Sequence, residues 1–179
     1  MWRCFPLAVF LASLGGIECV GLGGCAKPKD LPDITVRATH AEELTEFRAE
    51  LGARFTPEQL QPFDTAVDEL QLDAMNRGVA SAADREQDML ASVNGKTVHE
   101  ALLLGWTARH NRFLREIAGL TKMLDHDLQQ QQQTAATGTP ESVTRRIGSE
   151  KEVLDQLRRN LSDTDQRLAT WGATPGPSH

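Results

Sequence analysis

The chain reads as an all-α protein in which short N-terminal helices pack on a long antiparallel, coiled-coil-like helical hairpin. Three observations predict it. Two long stretches near the C-terminus carry apolar residues at alternating three- and four-residue spacing, the signature of a helical seam. Helix start and stop signals bracket every apolar stripe from Thr39 onward. Of the 179 residues only 5% are aromatic, none is Tyr, and β-branched residues are few, which argues against a β-sandwich or barrel.

Each element follows from its own punctuation. Thr39-His40-Ala41-Glu42 has the capping-box pattern, and Leu44, Phe47 and Leu51 then share one face before Gly52. Thr56-Pro57 opens a second helix over 57–77, with Thr as N-cap and Pro at the first position. Its stripe is Leu60, Phe63, Val67, Leu70 and Ala74. Pro62 sits inside it, and an interior Pro costs about 3 kcal/mol, so a kink or a start near Gln61 is expected. Ser81 caps a third helix over 82–93. Asn94-Gly95 turns the chain, and Thr97-Val98-His99-Glu100 is another capping box.

The next segment, 98–133, carries the seam Leu103, Trp106, His110, Phe113, Ile117, Leu120 and Leu124. It fades at Asp127 and Leu128, before the low-complexity run Gln129–Gln133, which either continues the helix as a solvated face or frays. Thr134–Thr139 is the connector. Thr139-Pro140 caps the last helix, 140–171, whose seam is Val143, Ile147, Glu150, Leu154, Leu157, Leu161, Thr164, Leu168 and Trp171. Gly172 stops it, and 173–179 reads as a disordered tail.

Two matched seams joined by a short connector fold back on each other. A turn centred near Thr137 sets Trp171 near Leu102 or Leu103, Leu161 near Phe113, and Leu154 near Leu120. Glu150 and Thr164 occupy seam slots where an apolar residue packs better, a device that also suits self-association. Charge is divided along the chain: residues 26–95 carry 7 basic and 14 acidic side chains, residues 96–179 carry 11 and 10. Arg109, Arg112 and Arg115 are therefore candidates to face the acidic helices. The net charge of −6 argues against binding nucleic acid or anionic lipid by bulk electrostatics.

The first 24 residues have another character. Arg3 is followed by an apolar run from Phe5 to Ile17, too short for a transmembrane helix of about 20 residues but fitting the layout of a secretory signal peptide. The run ends in Leu22-Gly23-Gly24-Cys25. This resembles a lipobox, the cleavage and lipidation signal of bacterial lipoproteins. The resemblance implies cleavage before Cys25 and acylation of its thiol, which anchors the chain to a membrane. Cleavage also removes Cys4 and Cys19, leaving no partner for a disulfide. Ala26 is not the Asp that resembles an inner-membrane retention signal, so the implied location is the cell envelope, at the outer membrane facing the periplasm. Residues 25–39, with Pro28, Pro32, Lys27, Lys29, Asp30 and Asp33, read as a lipidated N-terminus and extended tether. More weakly, Phe55-Thr56-Pro57-Glu58-Gln59 followed by Val93–Glu100 is similar to a family of small, uncharacterised bacterial lipoproteins over roughly 34–105. That family has no known activity and so supplies no functional residues.

No catalytic set stands out, so neither an enzyme nor a cofactor site is expected. Gly95-Lys96-Thr97 lacks the earlier Gly of a phosphate-binding loop, since position 90 is Leu90, and reads as a turn plus N-cap. His99-Glu100 lacks a second His one turn on. Asp125-His126-Asp127 is a compact trio, yet sequence neighbours point to different helix faces, so it reads as polar side chains on a helix surface rather than a metal site. His110 lies on the apolar seam as a core histidine, or as a pH-sensitive packing point. The reading that follows is a membrane-anchored envelope lipoprotein acting as a structural or protein-interaction module toward an envelope protein. The alternative is a lipoprotein that binds a small ligand or metal ion through the bundle, using Trp106, His110 or Asp125–Asp127.

Overall fold

The structure is a computed structural model that describes residues 30–136 and 138–173. The expected leader 1–24, Cys25 and residues 174–179 lie outside the described residues. Those described form a short 3-10 helix, Leu31–Asp33, and five α-helices: α1 (Ala41–Gly52), α2 (Pro57–Asn76), α3 (Ala82–Val93), α4 (Val98–Thr134) and α5 (Glu141–Thr170). The chain is all-α, with short helices packed on a long hairpin.

Capping chemistry sets most boundaries. Thr97 Oγ1 accepts from the Glu100 amide at 3.2 Å and Glu100 Oε2 accepts from the Thr97 amide at 2.7 Å. Ser81 Oγ caps α3 through the Asp84 amide at 3.0 Å. The α1 cap lies one residue later than the sequence suggests: His40 Nδ1 accepts from the Glu43 amide, and Glu43 reaches back to the Thr39 amide. Thr139 does not cap α5. Its hydroxyl donates to the Gln131 carbonyl at 3.3 Å, closing the connector against the end of α4, and Pro140 stands at the N-cap. Pro62 neither ends α2 nor delays its start; the helix runs unbroken from Pro57. Gln129–Gln133 continue α4.

The body core draws Phe47, Phe63, Val67, Leu90, Val93, Val98, Leu102, Trp106 and Leu168 into one cluster. Here α2 runs in the same direction as α4, since Pro62 meets Trp106, Glu69 meets Arg112 and Asp73 meets Arg115. Residues 34–38, expected to be part of the tether, are docked on the body. Val36 exchanges backbone hydrogen bonds with Lys96 and Gly95, and the Ile34 carbonyl accepts from the Val98 amide at 2.8 Å. Val36 and Ala38 are fully buried. Gly95 makes this docking turn with φ +77°, a conformation that favours glycine. Ala173, expected to be part of the tail, packs on the body, and its amide donates to the Leu168 carbonyl.

α5 packs along α4 and has no comparable contact with the other helices. Trp171 meets Trp106 edge-on at 5.3 Å, one turn further along α4 than expected. Leu120 and Leu154 join one cluster, as the register requires. That cluster, with Ile117, Leu124, Leu128, Val143 and Ile147, is built from α4 and α5 alone. From about Ile117 onward the hairpin is therefore a two-helix arm. Its α4 portion, 117–134, extends about 27 Å at 1.5 Å per residue.

Candidate functional site

Helix α4 carries polar side chains into three buried contacts, one on its α2 side and two on its α5 side. On the α2 side, Glu69 is 4% exposed. Arg112 grips it with Nε at 2.8 Å and Nη2 at 2.6 Å, and Arg109 Nη1 adds a contact at 3.3 Å. This forked geometry satisfies a carboxylate that burial would otherwise penalise. Glu69 and Glu116 hold the Arg112 guanidinium in its charged form, raising its pKa further. Arg109 also lies 5.1 Å from the Trp106 ring and 5.2 Å from Phe113. The expected facing of Arg109, Arg112 and Arg115 toward acidic helices is thus realised, with Glu69 and Asp73 as partners.

On the α5 side, His110 Nδ1 lies 2.7 Å from Asp165 Oδ1. Trp106 is buried, its Nε1 donates to the Pro62 carbonyl at 3.0 Å, and Arg167 stacks 5.0 Å from its ring. Both side chains have intramolecular partners.

The third contact lies in the arm. Asp127 is 4% exposed and is held by Arg146, whose Nε and Nη2 both donate to it, the latter at 2.7 Å. Arg146 also reaches Gln130 Oε1 at 3.2 Å. Its hydrogen bonds hold the Asp127 carboxyl below the usual carboxylate range, against the opposing effect of burial. Within the Asp125-His126-Asp127 trio, Asp127 turns into the seam while Asp125 and His126 are exposed. Among the described residues no group of three or more His, Cys, Asp or Glu is arranged to hold a metal ion.

Beside this pair lies an open groove of about 540 Å³, lined by Lys122, Met123, His126, Asp127, Arg146 and Glu150. Glu150 is 6% exposed, and its Oε2 is buried with no hydrogen-bond partner. An unsatisfied buried carboxylate oxygen is costly, and such groups call for an explanation.

Gly95-Lys96-Thr97 forms the docking turn and the α4 cap. Sequence reasoning missed the roles of Glu69, Asp165, Arg146 and Asp127. Glu69 lies off the apolar stripe of α2, and only the acidic–basic asymmetry between the two halves hinted at its pairing. No helix among the described residues is long and apolar enough to cross a membrane. Comparison of the chain with protein-family models, curated proteins and solved structures finds no match.

Proposed function

We propose that this chain is a lipid-anchored envelope protein whose helical body is held close to a membrane and whose two-helix arm offers a surface to an envelope partner. The observation that carries the reading is Leu22-Gly23-Gly24-Cys25 at the end of a charged-then-apolar leader. The docked segment supports it by limiting the tether. From Cys25 to Asp30 a fully extended chain reaches at most about 18 Å. Ile34 and Val36 bond to the start of α4, and that helix is about 55 Å long. The arm tip is therefore at the far end of α4 from the anchored end. With Ala26 after the acylated residue, the proposed site is the outer membrane, facing the periplasm.

The test compares the native chain with Cys25→Ala in a bacterial host fed an alkyne-bearing fatty acid. The native chain is expected to take up the label, sediment with membranes and retain its arm-bound partner in a crosslinked pull-down. Cys25→Ala is expected to lose the label. A native chain that takes up no label contradicts the reading.

A further inference from the structure

The arm bears one face that its own chain leaves incomplete. Glu150 lines the groove, and its buried Oε2 has no hydrogen-bond partner among the described residues. Arg146, which lines the same groove, is committed to Asp127 and Gln130. Lys122 lines the same groove, is exposed, and enters no ion pair among the described residues. Around these charges stand Met123, 57% exposed, and Val153, 51% exposed, the two most exposed large apolar side chains among the described residues. Val153 follows Glu150 by three residues and Arg146 by seven, so it shares their face of α5.

We propose that this face is a self-association surface covered by a second copy of the chain, with Lys122 of each copy on the Glu150 carboxylate of the other. The hairpin register selects the arrangement. Asp127 and Arg146 are bonded and so mark equal heights on the two helices. Lys122 lies five residues back along α4 and Glu150 four residues on along α5, on antiparallel helices. Their heights therefore agree to within one residue, about 1.5 Å. A two-fold axis parallel to the arm lays α4 of one copy over α5 of the other at unchanged height, and sets Lys122 against Glu150 twice. A two-fold axis across the arm lays α5 on α5 instead and takes Lys122 away from Glu150. The parallel pairing closes two thin seams into a four-helix bundle and covers Met123 and Val153. It also leaves both bodies at the same end, as two chains rooted in one bilayer require. The pairing itself does not depend on the lipid.

The test is the mass of the full chain, extracted in mild detergent, by native mass spectrometry and sedimentation equilibrium. A two-chain species is expected, and it persists in Cys25→Ala, so failure of the anchor and failure of the pairing are read separately. Lys122→Glu sets like charges together and is expected to weaken association at least about tenfold. Lys122→Glu combined with Glu150→Lys is expected to restore it to within about threefold. If circular dichroism shows that Glu150→Lys does not fold, Glu150→Gln replaces it and is expected to weaken association, as Lys122→Glu does. A single-chain mass at about 100 µM, association indifferent to the Lys122 and Glu150 variants, or a folded double variant that fails to recover overturns the proposal.

Discussion

Gly105 of α4 lies against Ala66 of α2 so closely that a methyl group on Gly105 would fall on the Ala66 backbone, far inside van der Waals contact. The two helices meet backbone to backbone, and Ala66 is fully buried. Ala is intrinsically the better helix residue by about 1 kcal/mol. The clash outweighs that gain, because backbone cannot move aside as a flexible side chain does. Gly105→Ala is expected to lower stability by about 2–4 kcal/mol in urea unfolding. Gly148, on α5 with open space around it, supplies the opposite case: Gly148→Ala is expected to gain about 0.5–1 kcal/mol.

The Glu69 cluster gives a second prediction. Removing the carboxylate leaves two guanidinium groups that are only 25% and 21% exposed, with Arg109 Nε already unpartnered. Glu69→Ala is expected to lower the unfolding free energy by about 2–4 kcal/mol, and Glu69→Gln by less. The exposed Glu141–Arg145 pair is the control, with Glu141→Ala expected within about 0.5 kcal/mol of the native chain.

Stability should fall in acid partly through Asp127. Its native pKa is lowered by Arg146, so at moderately acid pH the unfolded chain binds a proton that the native chain does not. The contribution is complete above the ordinary Asp value of about 3.9 and is lost as pH falls through it toward the lower native value. Urea unfolding from pH 6 to pH 3 is expected to show a steeper loss for the native chain than for Asp127→Asn. Parallel profiles would contradict the Asp127–Arg146 account.

The arm should open before the body. Its cluster is drawn from two helices, whereas the body cluster adds α1, α2, α3 and the docked segment. Hydrogen exchange on the Lys122→Glu chain at low concentration, where pairing does not cover the arm, is expected to be faster for amides of 120–131 and 143–154 than for those of 98–108. Uniform protection across both regions would refute this.

Helix positions and hairpin register were legible because they are written in local chemistry and periodicity. Thr97 and Ser81 cap as their sequence patterns say, and Leu120 and Leu154 join one cluster as the seam spacing predicts. What escaped depends on distant partners. Pro62 looks disruptive in isolation, but its carbonyl accepts Trp106 Nε1 within a packed helix pair. Ile34–Ala38 looks like free tether until the Gly95 turn supplies its hydrogen bonds. Asp127 looks like a solvated side chain on a helix surface until Arg146, nineteen residues away, folds back onto it. Gly105 carries no local signal of the approach by Ala66.

Intact-mass analysis of protein extracted from the membranes of its host reads the state of the amino terminus in the living cell directly. The expected chain begins at Cys25 and is heavier than its polypeptide by the acyl groups carried on that residue, with Met1–Gly24 gone. A chain that begins at Met1, or a Cys25 with a free thiol, would contradict the account.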